Sequence, residues 1–104
     1  MISQDDIDAW DFYGSGQLND YQNAAAATAI YKSEHAIIYP ALGLAAEAGE
    51  VANKVKKIMR DGHFDRDAIA DEVGDCLWYL QCICTDLDIG LEEVAQRNLN
   101  KLNS

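Results

Sequence analysis

The sequence predicts an all-α fold, a four-helix bundle completed by oligomerisation, on three observations. Apolar residues recur every three or four positions through most of the chain, which is the helical period. Proline occurs once and glycine seven times in 104 residues, so little interrupts a helix. No two runs of alternating apolar and polar residues read as paired strands. A chain of this length is one domain by default, and alone it buries only a modest share of its surface.

The elements follow in order. Ser3 with Asp5 and Asp6 suits the start of a short helix carrying Ile7 and Trp10, which Gly14, Ser15 and Gly16 then break. Asn19 is the expected N-cap of a first long helix from about Asp20 to Lys32. Its middle, Ala24 to Ala27, is thin enough for another helix to come close. Residues 33–39 read as a connection. Pro40 suits the first turn of a second helix running to Met59 or Arg60. Leu44, Ala48, Val51, Ala52, Val55 and Met59 form its apolar stripe. Lys54, Lys56, Lys57 and Arg60 complement the dipole at its C-terminal half, and Asp61-Gly62 stops it.

Asp65 or Asp67 caps a third helix that ends near Leu87. Ile69, Val73, Cys76, Leu77, Leu80, Ile83, Cys84 and Leu87 make a continuous stripe along it. Trp78, Tyr79 and Cys82 lie on its other side, so this helix is apolar most of the way round. In so short a chain, that surplus predicts a second subunit. After a turn at residues 88–90, a last helix spans about Leu91 to Leu102.

Charge and cysteine usage narrow the function. The net charge of −10 repels nucleic-acid backbones and anionic membranes. No apolar run is long enough to span a bilayer. The opening MISQDDIDAW carries acids where a signal peptide needs basic and then apolar residues, so the expected location is cytoplasmic. Cys76, Cys82 and Cys84 are odd in number and lack zinc-type spacing, and they read as small buried residues with free thiols.

Two pairs of acids point to chemistry. Glu47 and Glu50 stand three apart, as do Glu72 and Asp75, and that spacing puts both members of a pair on one helical face. Glu47, Glu50 and Lys54 share a face of the second helix; Glu72, Asp75 and Tyr79 share a face of the third. The short connection makes the two helices antiparallel neighbours. Taken alone, Glu47 and Glu50 read as solvated surface, with Glu50 and Lys54 as an i,i+4 pair. Glu72 and Asp75 point the same way as Tyr79 and Cys82, where solvation explains them poorly. Four anions aimed at one point make sense around a hard cation such as Mg²⁺. A di-iron bundle wants Glu-x-x-His pairs, and neither His35 nor His63 supplies one. A calcium loop counted from Asp61 has Arg66 where glycine is required.

The pattern Glu47-x-x-Glu50 followed by Glu72-x-x-Asp75 resembles the signature of the MazG-like nucleoside triphosphate pyrophosphohydrolases, of the all-α NTP pyrophosphatase superfamily. The words around it are similar too: GLAAEAGEVANKVKK at residues 43–57, DEVGDCLWYL at 71–80, LEEVAQRNLNKL at 91–102 and the YQ of Tyr21 and Gln22. The resemblance covers about residues 18–102, which makes 18–104 the expected domain and 1–17 an N-terminal extension. It implies Mg²⁺-dependent hydrolysis, with Mn²⁺ as a substitute, of an NTP or dNTP between the α and β phosphates. It also implies a homodimer or homotetramer.

By this resemblance Glu47, Glu50, Glu72 and Asp75 are metal ligands, with Glu50 or Glu47 as the catalytic base. Lys54, Tyr79, Asn98, Lys101 and Gln22 then contact substrate, and base choice falls to residues such as Gln22, Tyr21, Trp10 or His35. Two alternatives stay open: a non-enzymatic helical protein-interaction module, and a related all-α enzyme specific for dUTP or phosphoribosyl-ATP.

Overall fold

The computed structural model describes residues 17–103. The short helix expected over residues 3–10, the break at residues 14–16 and Trp10 lie outside them. The described residues form four α-helices and one short 3-10 turn, with no strand. Helix α1 is Gln17–Ala26, the 3-10 turn is Ser33–His35, α2 is Ile38–Asp61, α3 is Arg66–Asp86 and α4 is Leu91–Leu102. The long α2–α3 hairpin makes most of the contacts between helices, and α1 lies across α3 and α4.

The hairpin turn is fixed at both ends. Gly62 takes a left-handed conformation (φ 72°) that costs glycine nothing, and its N–H closes α2 onto the Ile58 carbonyl at 2.8 Å. Asp65 caps α3, its carboxylate accepting from the Ala68 N–H at 3.0 Å.

Helix α1 departs from expectation. It begins before Asn19 and ends at Ala26. Thr28 ends it: its hydroxyl donates to the Ala25 carbonyl at 2.7 Å and accepts from the Trp78 indole N–H at 2.8 Å. Asn19 caps a different helix, its side-chain oxygen accepting from the Glu92 N–H of α4 at 3.1 Å. Beside it the Gln22 side chain accepts from the Leu91 N–H at 2.7 Å. Two free donors at the start of α4 are thus met by α1.

Ile37 has φ 70° and ψ −50°, and across it the Ile38 N–H reaches the Ala36 carbonyl at 2.7 Å. That is a γ-turn of the strained, positive-φ kind, which a β-branched residue adopts only under constraint. The constraint is Asp86. Its Oδ2 accepts from the Ile37 N–H and from the Tyr31 hydroxyl, both at 2.8 Å.

The two predicted stripes are covered only in part. Within α2, Leu44, Val51 and Ile58 are partly covered, whereas Ala48, Ala52, Val55 and Met59 are exposed. Within α3 Cys82, on the aromatic side, and Cys84, on the predicted stripe, are both buried, with Trp78 and Tyr79 partly covered. Val73, Leu80 and Leu87, seven residues apart, are exposed to 52%, 42% and 56%. The reason is the aromatic side's size: Trp78 and Tyr79 fill the space beside α1 and α2, which leaves Val73, Leu80 and Leu87 outward.

The centre is partly polar. Gln81 is fully buried and Gln22 nearly so. Gln22 donates to Thr85 Oγ1 (3.1 Å) and to the Ile89 carbonyl (3.0 Å), and Thr85 donates to Gln81 Oε1 (3.1 Å). Gln22→Ala is expected to destabilise the fold by about 1–3 kcal/mol, because it strands the Leu91 N–H and the Ile89 carbonyl. Urea unfolding followed by far-UV circular dichroism measures the loss.

Candidate metal and active site

The site is set by the register of the α2–α3 hairpin. Gly43 on α2 lies against the Tyr79 ring of α3. A Cβ built on Gly43 would overlap that ring, coming within 2.6 Å of Cδ1 and closer still to its neighbours. One turn along α2 from Gly43 is Glu47, and one turn back along α3 from Tyr79 is Asp75. The Gly43–Tyr79 contact therefore brings Glu47 to the level of Asp75, with Glu72 one further turn along. One carboxylate oxygen each from Glu47, Glu72 and Asp75 lies within 4.8 Å of the others.

The electrostatics are those of crowded anions. Glu47 and Glu72 are partly buried and Asp75 is exposed. Burial pushes the Glu47 carboxyl above its ordinary value, and so do its hydrogen bond with Glu72 and the charges of Asp75, Glu72 and Glu50. Three oxygen donors with surplus negative charge fit a hard divalent cation.

A pH dependence follows. The folded chain holds the Glu47 proton to higher pH than the unfolded chain does. Stability of the metal-free protein therefore falls as pH rises from the unfolded glutamate value, about 4.3, through the raised folded value. Glu47→Gln is expected to lack this part of the decline, as read from melting temperatures of both proteins at low ionic strength with chelator present.

The other expected site residues are placed as follows. Glu50, one turn beyond Glu47, is exposed and lies outside the 4.8 Å group. Lys54 is partly buried and lines a recess of about 100 Å³ with Lys57, His63 and Asp65. Among the described residues it makes no ion pair, with Glu50 or otherwise. Tyr79 is partly buried, with the Trp78 ring edge-on at 5.0 Å and Tyr39 at 6.4 Å between centroids. Burial, then Tyr39, then the Glu47 charge push its hydroxyl up.

Asn98 and Lys101 are exposed on α4, which packs on α1 and α3. Gln22 was expected at the substrate, but its amide is engaged by Thr85, Ile89 and Leu91. The structure gives it to the α1–α4 junction. Gly43 is the site residue that the sequence reading missed. A glycine inside a helical pattern is a signal of close approach, but Gly49 and Gly74 carry the same signal and face open space.

An all-helical chain that gathers carboxylates across an antiparallel hairpin defines a class of helical proteins built around an acidic, cation-type site. The particular family is given by comparison: the chain belongs to the MazG nucleotide pyrophosphohydrolase domain family, whose profile matches residues 39–104. That span holds α2 from its second residue on, α3, α4 and all four acids. The chain is 46% identical over 95 residues to the Gene 37 protein of Mycobacterium phage L5, covering 81% of this chain and 83% of that one. It is 34% identical over 65 residues to the uncharacterized protein YpjD of Bacillus subtilis (strain 168), covering 59% of each. No solved structure matches.

Proposed function

We propose that this chain hydrolyses nucleoside triphosphates, dNTPs foremost, between the α and β phosphates, releasing the monophosphate and pyrophosphate. The observation that carries this reading is the Glu47–Glu72–Asp75 group, three carboxylates within 4.8 Å across two helices. Mg²⁺, with Mn²⁺ as a substitute, is the cation whose oxygen preference suits them. When bound, it neutralises and polarises the phosphate oxygens.

The chain's own residues do the rest. Glu47, Glu72 and Asp75 hold the cation, with Glu50 beside them. Glu50, outside the tight group, is the better placed of the two candidate bases to take the proton of the attacking water; Glu47 is the other. Lys54 offsets charge building on the leaving pyrophosphate, because phosphoryl chemistry asks chiefly for positioning and charge neutralisation. Tyr79, Asn98 and Lys101 complete the substrate contacts. The net charge of −10 disfavours nucleic acid and anionic membranes, and a polyanionic nucleotide approaches only because the bound cation and Lys54 invert the sign at the site. No helix among the described residues is long and apolar enough to cross a membrane.

The exposed seams support a homodimer or homotetramer. Ala48, Ala52, Val55 and Met59 repeat at helical spacing on α2, and Val73, Leu80 and Leu87 do so on α3. Leu80→Glu is expected to lower the molar mass measured by light scattering to that of a smaller assembly. The function itself is tested by pyrophosphate release from the common NTPs and dNTPs with Mg²⁺ or Mn²⁺. Release from at least one supports the reading, and release from none overturns it.

A further inference from the structure

The connection between α1 and α2, residues 27–37, lies along the C-terminal half of α3 and has no core of its own. None of its residues is buried. A recess of about 330 Å³ separates it from the helix, lined from the connection by Ala29, Ser33 and Ala36 and from α3 by Gln81, Cys82 and Thr85. A water molecule's share of liquid volume is about 30 Å³, so these small side chains pack little against α3.

What holds the connection is polar. Near its start, Thr28 accepts from the Trp78 indole N–H at 2.8 Å. Further on, one oxygen of Asp86 accepts from both the Tyr31 hydroxyl and the Ile37 N–H, each at 2.8 Å. Asp86 stands where a helix tolerates an acid poorly. It is the last residue of α3, at the negative end of the helix dipole, and no basic residue in that last turn offsets it. Its hold on the connection is the gain that sets against this cost.

The hold also works against strain. Ile37 has φ 70° and ψ −50°, which a β-branched residue keeps only where its surroundings over-determine it. The bond from Ile37 to Asp86 is exposed, so water competes for both partners. Both bonds end on one oxygen, so they are lost together. Ile37 then relaxes to negative φ, and the chain before it no longer returns to Asp86. Few apolar contacts and exposed hydrogen bonds mark a segment that opens below the global cost of unfolding.

We infer that residues 27–37 are a strap that opens as one unit while the α2–α3 hairpin stays folded, with Asp86 as its latch and Ile37 as its hinge. Latched, it covers Cys82 and stacks Tyr31 on Tyr39 at 4.9 Å, and Tyr39 in turn lies 6.4 Å from Tyr79 at the hairpin. Released, it uncovers Cys82 and takes Tyr31 out of the stack.

Native-state hydrogen exchange on the full chain tests the strap. The Ile37 amide, bonded to Asp86, and the His35 and Ala36 amides, bonded to the Lys32 and Ser33 carbonyls, are its reporters. They should share one opening constant, about 10²-fold or more above that of amides in the middle of α3. Asp86→Ala should raise it about tenfold or more, because two hydrogen bonds to a charged group are lost, while the mid-α3 amides keep their rates. Ile37→Pro, whose ring fixes φ near about −65°, should match it. Ile37→Gly, which takes positive φ freely, should bring the Asp86→Ala protein back toward wild-type rates. The rate at which a thiol reagent labels Cys82 should rank the proteins in the same order. If the wild-type reporters exchange no faster than the mid-α3 amides, or Asp86→Ala speeds both sets equally, the connection opens only with the whole fold and there is no strap. If Asp86→Ala leaves the reporters unchanged, Asp86 is not the latch. The wild-type comparison decides the first point even where a variant fails to fold.

Discussion

Asp75→Asn is expected to reduce pyrophosphate release by about 10²–10³-fold or more while leaving the helical far-UV spectrum intact. The two effects separate because Asp75 is exposed and packs nothing, yet supplies one of three gathered oxygens. Removing its charge weakens the grip on a divalent cation and relieves repulsion on Glu47, since Asp75 is among the charges that raise the Glu47 carboxyl. The metal-free variant should therefore melt no lower than the wild-type protein, and the protection that Mg²⁺ gives against melting should shrink. Calorimetric titration with Mg²⁺ and an uncleavable nucleotide completes the test. Wild-type turnover in Asp75→Asn would show that the carboxylate group is not the reaction centre.

Gly43→Ala is expected to cost both activity and stability, although it adds one uncharged methyl group a full turn from the nearest acid. The new Cβ would overlap the Tyr79 ring, and overpacking of this kind costs about 1–3 kcal/mol. To make room, α2 and α3 must part or Tyr79 must swing, and either change shifts Glu47 relative to Asp75. A misplacement of about 1 Å can cost on the order of 10²-fold in rate. Gly49→Ala is the control: it lies on the same helix, meets nothing within 4 Å and should stabilise by about 1 kcal/mol. Adding Tyr79→Ala to Gly43→Ala should recover stability beyond the sum of the two single changes, as expected for residues in contact. Urea unfolding and the pyrophosphate assay read the two consequences separately.

What was legible in the sequence is what local chemistry fixes. The last helix was read at its observed bounds because the turn at residues 88–90 marks its start. The third helix was read within a residue or so because Asp65 caps it through its own side chain. The acid pairs were legible because a spacing of three on a helix leaves little choice of face. The prediction that α1 would run on to Lys32 failed because a tertiary contact, Trp78 to Thr28, turns the chain early. No local propensity encodes that contact. The unpartnered seam of α3 was likewise invisible: with apolar residues nearly all round, periodicity could not say which side the chain itself would cover. The hold of Asp86 on Ile37 joins residues 49 apart and has no signature in either segment.

The two buried glutamines carry a thermal consequence. Much of the chain's large apolar surface, Ile30, Leu42 and Met59 included, already meets water in the folded single chain, while Gln22 and Gln81 do not. Unfolding that chain hydrates comparatively little new hydrocarbon and adds amide groups, whose contribution to heat capacity has the opposite sign. The increment for the unassembled chain is therefore small for its length, and its free-energy curve against temperature is broad and shallow.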